Sequence, residues 1–386
     1  MNYLVPDYYS KFQCTGSNCI RNCCQEGWNI AIDDESYQRY MAVGGALGEK
    51  LRDNIIEWRG SHKFKLDDCG SCPFLTKDRL CGVYIELGPE QMNYVCATYP
   101  RQYCQYADLM ESNLKISCPE AARLLLTHKD PISFVFAESD DPLYINVDKE
   151  LFDNLFLARS VSIDIMQFRS LPLWKRAVLT AMLASQLQEL IKQGVYDFSS
   201  VLQEYSAPEH FEEKLSALEQ ALGGAHTNEQ KCILTGYFIS GLTTMFKHAD
   251  KHFAVYLSLF HKYISSGQYS FGELEQEFNT YYQDNFYQYE NFFVYWLFQY
   301  YMDALNGKDL YQSISLMIFN CYIVKILGIL TWLDHGKQLE LSEQIDIFSN
   351  FSIYLEHSPK VYNQLYKILE EKEVSSITGL ALLMYG

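Results

Sequence analysis

Positive charge is scarce in this sequence: 31 Lys and Arg stand against 48 Asp and Glu, for a formal charge of −17 and a pI near 5.0. Neutralising a phosphate backbone needs a basic face, and no Lys/Arg cluster supplies one, so no nucleic-acid partner is expected. The opening segment, MNYLVPDYYSKFQC, lacks the basic start, apolar run and small-residue cleavage site of a secretory leader. A reducing, cytoplasmic setting is therefore expected. Also missing are a strand-associated G-x-G-x-x-G, an H-E-x-x-H and a G-x-S-x-G, which removes the dinucleotide cradle, the zinc-peptidase helix and the nucleophile elbow. The C-x3-C-x2-C signature of radical enzymes is not met either. Cys19 and Cys23 give its first spacing, but Glu26 stands where the third cysteine belongs.

Cysteine and apolar residues are plentiful. Hydrophobic residues make up 48% of the chain and charged ones 20%, enough for a substantial core and against global disorder. Ten of the twelve cysteines fall between Cys14 and Cys118. Cys232 and Cys321 stand alone in apolar helical patterns and read as small buried hydrophobes. This break divides the chain into a cysteine-rich, loop-rich module over 1–130 and a mainly helical region over 131–386. The expected fold class is mainly α, with the irregular helical bundle following the cysteine module.

Within the module, residues 27–33 alternate like a short strand, and Asp33-Asp34 reads as the cap of a helix from Glu35. Two extended runs around an acidic turn are expected over 132–147. The second region opens near Leu151. Pro172 starts a helix whose face is marked by Leu173, Val178, Leu179, Leu183, Leu187 and Leu190, and Gly194 ends it. A further helix starts at 206–209 and ends at Gly223-Gly224. Others are expected over 228–246, 249–265, 272–305, 311–333 and 359–371. The apolar stretch 314–333 contains Asn320 and Lys325 and reads as a buried helix, with no transmembrane span and only peripheral membrane contact left open. The aromatic run 281–301 reads as a core helix with phenols at its rim.

The cysteines are spaced C-x4-C-x3-C-C (Cys14, Cys19, Cys23, Cys24) and C-x2-C-x8-C (Cys69, Cys72, Cys81), followed by Cys96, Cys104 and Cys118. Thiolates are soft ligands suited to zinc or iron–sulfur clusters, and in a reducing compartment clustered thiols hold a metal more often than they form disulfides. Neighbours in sequence usually point apart. The pair Cys23-Cys24 therefore suggests two centres, or one ligand beside a structural or reactive thiol. The spacing leaves the metal open.

Cys14-x4-Cys19-x3-Cys23-Cys24 precedes Gly27-Trp28-x-Ile30, then Cys72-Pro73-Phe74-Leu75 and Cys81-Gly82-Val83-Tyr84. Cys96-x2-Tyr99-Pro100-Arg101 and Ser117-Cys118-Pro119-Glu120-Ala121-Ala122-Arg123 complete the series. Together these resemble the flagellin lysine N-methylases, whose cysteine core is shared with zinc- or iron-chelating cysteine-cluster proteins. The resemblance covers about Asp7 to Arg123. It implies methyl transfer from S-adenosylmethionine to flagellin lysines, with an iron–sulfur cluster, of the 4Fe-4S kind, or zinc as the alternative. Its ligands would come from Cys14, Cys19, Cys23, Cys24, Cys72, Cys81, Cys96 and Cys118; Cys69 and Cys104 fall outside the pattern. Arg101 and Arg123 are candidate clamps for the methionine carboxylate, or pair locally. Asp33, Asp34, Tyr84, Tyr99 and Glu120 are candidate acceptors for the lysine proton, and the sequence selects none of them as catalytic. The rival reading is a non-catalytic metal-binding scaffold.

Overall fold

The computed structural model describes residues 2–138, 145–222, 226–246, 252–357 and 359–385. Among the described residues the strands are β1 (Asn2–Pro6), β2 (Ala31–Ile32), β3 (Ile55–Trp58), β4 (Ser61–Phe64), β5 (Arg101–Tyr106), β6 (Leu109–Leu114) and β7 (Phe134–Glu138). They form two small sheets. One has the order β5-β6-β1-β7, with β1 parallel to β6 and the other pairings antiparallel; the other is the antiparallel trio β2-β4-β3. The expected strand over 27–33 shortens to two residues. Asp33 caps the helix Asp34–Ala42 as expected, its side chain accepting from the Ser36 amide. The cysteine module has its own small core, in which Ile32, Tyr40, Leu51, Phe64, Phe74 and the Cys72 thiol are buried. Strand β7 pairs with β1, so the larger sheet continues past residue 130. The acidic turn expected inside 132–147 falls at 139–144, outside the described residues.

The rest of the chain is helical and shares one large core. Helix Leu173–Lys192 runs as its pattern predicts, and Gly194 beyond it adopts a φ of +71°. Helix Leu310–Asp334 contains a long apolar stretch with a mean hydropathy of 1.9, and 94% of that stretch is buried within the fold. It is a core helix, and its Lys325 turns inward to Glu275 at 2.8 Å. Cys321 is buried on the same helix, whereas Cys232 is only half-buried, packed at the edge of the core. The Gly223-Gly224 stop lies outside the described residues; the helix before it spans Phe211–Leu222.

The single helix expected over 272–305 is broken. Helices Phe271–Tyr282 and Tyr287–Tyr300 are separated by a 3-10 turn at Gln283–Asn285, and a second 3-10 segment, Tyr301–Asn306, follows. No Gly or Pro marks the break, and tight turns keep the aromatic side chains facing the core. Periodicity alone therefore runs straight through it. The aromatic helix is buried from Gln288 to Gln299, as a core element should be. Helices Leu341–Glu356 and Ile377–Met384 lie outside the expected set. The first carries a readable signal, a reciprocal capping box between Glu340 and Glu343.

Buried ion pairs tie the two regions together. Arg159 grips both oxygens of Glu111, so the helix Lys149–Gln167 is fastened to β6 by a pair with almost no solvent exposure. Removing one partner of such a pair leaves a buried charge and costs about 3–5 kcal/mol.

Candidate functional site

Two cysteine loops meet back to back. Gly27 (φ +69°) and Gly70 (φ +81°) are in contact, and a Cβ on Gly70 would sit at an ordinary van der Waals distance of 3.5 Å from the Gly27 Cα. Both positions favour glycine because of their left-handed φ. The contact brings Cys23-Cys24 against Cys72, whose amide donates to the Cys24 carbonyl at 2.7 Å. The Asn22 side chain caps the Cys24 amide and donates to the Arg79 carbonyl. Arg79 in turn donates to the Cys19 carbonyl, lacing a third loop into the pair.

The thiols that result are linked. Cys24 is hydrogen-bonded to both Cys23 and Cys72. Its hydrogen bond lowers the Cys72 thiol to about 7, while Cys24 itself is pushed far up, first by those same hydrogen bonds and then by burial. Cys81 and Cys96 lie within electrostatic reach of Cys72 and Cys23, and burial raises both. Cys118 is raised to about 12 by burial, despite backbone hydrogen bonds from Glu120 and Ala121, and it senses Cys19 and Cys23. The structure thus brings together Cys19, Cys23, Cys24, Cys72, Cys81, Cys96 and Cys118. Cys14 and Cys69 are exposed, and Cys104 sits on β5 against the large core. Among the described residues no three His, Cys, Asp or Glu side chains stand at the spacing of one ion's shell.

The thiol group faces the helical region through a polar and aromatic seam. The Trp28 ring meets Tyr99 edge-on at 4.9 Å and His357 at 5.0 Å between centroids. Ser117, next to Cys118, bonds the Tyr99 hydroxyl at 3.2 Å and the His357 Nε2 at 3.0 Å. Arg21, from the loop carrying Cys19 and Cys23, reaches Asn350, Ser349 and Asp346 on helix Leu341–Glu356. One helix therefore touches both ends of the cysteine module.

Beside this seam opens a cleft of about 530 Å³. The module supplies Tyr94, Thr98, Arg101, Tyr103 and Lys115 to its wall; the helical region supplies Tyr300, Asp303, Lys308, Glu356 and His357. Lys115 pairs with Glu356 and Lys308 with Asp303. Arg101 lies over the Tyr9 and Phe12 rings at 5.9 and 5.1 Å, and the described residues offer it no carboxylate. Arg123 lies elsewhere, held in a bidentate pair with Glu120 three residues away. Asp33 is committed to capping, and burial raises Tyr99 well above the usual phenol. Lys115, Glu356 and His357 were invisible as site residues in sequence, because none belongs to a motif.

A cysteine-rich module with its own small core is joined to a helical region, and a polar cleft opens at the seam between them. The model of the FliB lysine N-methylase C-terminal domain matches residues 159–383, more than half of the chain. The chain belongs to the FliB lysine N-methylase family, whose members are protein-lysine N-methyltransferases. It is 33% identical over 134 residues to the flagellar biosynthetic protein FliU of Salmonella muenchen, covering 33% of this chain and 79% of that protein. Lysine-N-methylases of Salmonella typhimurium and Salmonella choleraesuis are 31% and 32% identical over 134 residues. Each of those matches spans 33% of this chain and 33% of the relative's own length. No solved structure matches.

Proposed function

We propose that this protein transfers methyl groups from S-adenosylmethionine to lysine side chains of flagellin in the cytoplasm, with an iron–sulfur cluster held by the gathered thiols. The observation that carries this reading is the cleft, whose walls come half from the cysteine module and half from the matched methylase domain. Its volume lies in the range of small-molecule sites.

Thiolates are the donor type that suits a soft metal centre. Cys24 linked to Cys23 and Cys72, with Cys81, Cys96 and Cys118 beside them, supplies more sulfur than one ion needs. Four sulfurs around a single zinc ion would lie roughly 3.8 Å apart, given bonds of about 2.3 Å in a tetrahedron. When bound, such a group supplies Lewis-acid or one-electron chemistry at the seam. Arg101 offers a cation, unspent on any carboxylate among the described residues, to the methionine carboxylate.

The acceptor amine has an ordinary pKa near 10.4 and arrives protonated, so the protein must strip its water and its proton before it can act as a nucleophile. In a polar transfer the nitrogen lone pair forms the new N–C bond as the methyl–sulfur bond breaks. The bonding pair stays on sulfur, and the sulfonium leaves as a neutral thioether.

The test is direct. Protein purified without oxygen, incubated with flagellin and S-adenosylmethionine, should add mass to flagellin in steps of one methyl group. Iron and sulfide should appear in elemental analysis, with brown colour. No mass gain from protein carrying its full metal complement rejects the methylase reading, and a colourless zinc-loaded protein rejects the cluster.

A further inference from the structure

At the cleft wall one carboxylate is built to receive an ammonium ion. The Glu356 side chain is fully buried, and its Oε2 accepts the Tyr295 hydroxyl at 2.7 Å and the Tyr300 hydroxyl at 2.8 Å. Its other oxygen accepts from Ser352. Burial works against its ionisation, but the nearby ammonium and these hydroxyls hold its carboxyl below the ordinary value. The ammonium belongs to Lys115. Its Nζ lies 2.8 Å from Glu356 Oε2 and 2.8 Å from the Tyr300 oxygen, and 5.0 Å from the centre of the Tyr300 ring.

Carboxylate, phenol oxygen and ring face together make up the chemistry that recognises a primary alkylammonium. Lys115, Tyr300 and Glu356 all line the 530 Å³ cleft, so the seat opens towards the space where a second molecule would enter. Lys115 follows the last residue of β6 and stands three residues before Cys118, so the seat also lies beside the thiols.

We propose that Glu356, Tyr295 and Tyr300 form the acceptor-lysine subsite, and that Lys115 is an internal occupant which the substrate's lysine displaces. The inference rests on the methylase reading for its purpose, but the seat is a binding site that can be probed without donor or turnover. Glu356 and Tyr300 bind and orient the incoming ammonium. Lys115, once displaced, turns into the cleft, and the carboxylate is never left without a cation. The exchange of one ammonium for another keeps the charge in the wall constant, so it avoids the cost of a bare buried anion.

The probe is Nα-acetyl-lysine methylamide, with its norleucine counterpart as control, titrated calorimetrically into the whole protein. Lys115→Met removes the competing ammonium while keeping an unbranched apolar chain, and it should tighten the lysine probe by about tenfold, the value of one charge-assisted hydrogen bond. Lys115→Arg should act in the opposite direction, because a bidentate guanidinium holds the carboxylate more firmly. Adding Glu356→Gln to Lys115→Met should cancel the gain, and the norleucine probe should not respond to any of these changes. A purely structural Lys115 would make Met and Arg weaken binding together or leave it unchanged, and either result overturns the proposal. If Lys115→Met does not fold, Lys115→Arg and Tyr300→Phe decide, both being required to weaken the lysine probe selectively. A seat that behaves as described in a protein that leaves flagellin unmethylated would reject the methylase reading alone. Flagellin methylation with an unresponsive seat would reject this inference alone.

Discussion

Glu275→Gln is the sharpest test of how the helical domain is held together. Glu275 is buried and serves two ammonium groups, Lys231 at 2.5 Å and Lys325 at 2.8 Å. Lys231 also donates to the Tyr385 carbonyl at 2.6 Å and lies 5.6 Å from the Tyr322 ring centre, with its side chain fully enclosed. Removing the shared carboxylate strands two cations in the core, which costs about 3–5 kcal/mol and lowers the melting temperature by roughly 4–6 °C in a chain of this size. A pH signature accompanies the loss. Burial, opposed by Glu275 and reinforced by Lys325, brings the Lys231 amine down to about 8 from its usual 10.5. Between those values the unfolded chain carries the proton and the folded chain does not. Its contribution to stability therefore rises with pH across that window and is flat below it. Without Glu275 the folded value drops further. The variant then binds fewer protons than the wild type just below pH 8, and the stability gap narrows as pH rises. Urea melts followed by tryptophan fluorescence should show the full gap at pH 6 and a smaller one at pH 8.5. A gap under about 1 kcal/mol at pH 6, or one that widens towards pH 8.5, would refute the reasoning.

Two further outcomes are expected. Arg101→Ala should raise the KM for S-adenosylmethionine by about 10–100-fold, the worth of a charge-assisted carboxylate contact, while the KM for flagellin stays within a factor of two and the melt is unchanged; equal rises in both constants would remove Arg101 from the donor site. Cys24→Ser or Cys72→Ser should abolish iron incorporation, whereas Cys69→Ser and Cys104→Ser should retain it. Iron loss in either member of the second pair would show that the gathered thiols are not the ligand set.

Much of the helical architecture is legible in the sequence because a buried helix repeats its apolar residues along one face. Helix Leu173–Lys192 and helix Leu310–Asp334 show this, and so does the Asp33 cap, a purely local event. Pattern reading failed where the structure changes direction without a marker residue, as at Gln283–Asn285. It also missed the capped helix Leu341–Glu356, which turned out to carry much of the seam. The motif series was readable as a family resemblance, and the family model matches the helical region beyond it, residues 159–383.

The sequence by itself determined the clustering of ten cysteines in one region and the mainly helical class, and it offered Arg101 and Arg123 alike as candidates for carboxylate binding. These depend on residue type and spacing along the chain. Only the tertiary structure decided which thiols meet, because Cys24 and Cys72 come from separate loops joined by the Cys72 amide donating to the Cys24 carbonyl, not from any short spacing. It also separated Arg101, in the cleft, from Arg123, tied to Glu120. The Lys115–Glu356 seat joins residues 241 positions apart, across the seam between module and helices. A site assembled from single residues on distant elements leaves no periodic or local trace, so it becomes visible only once the chain has folded.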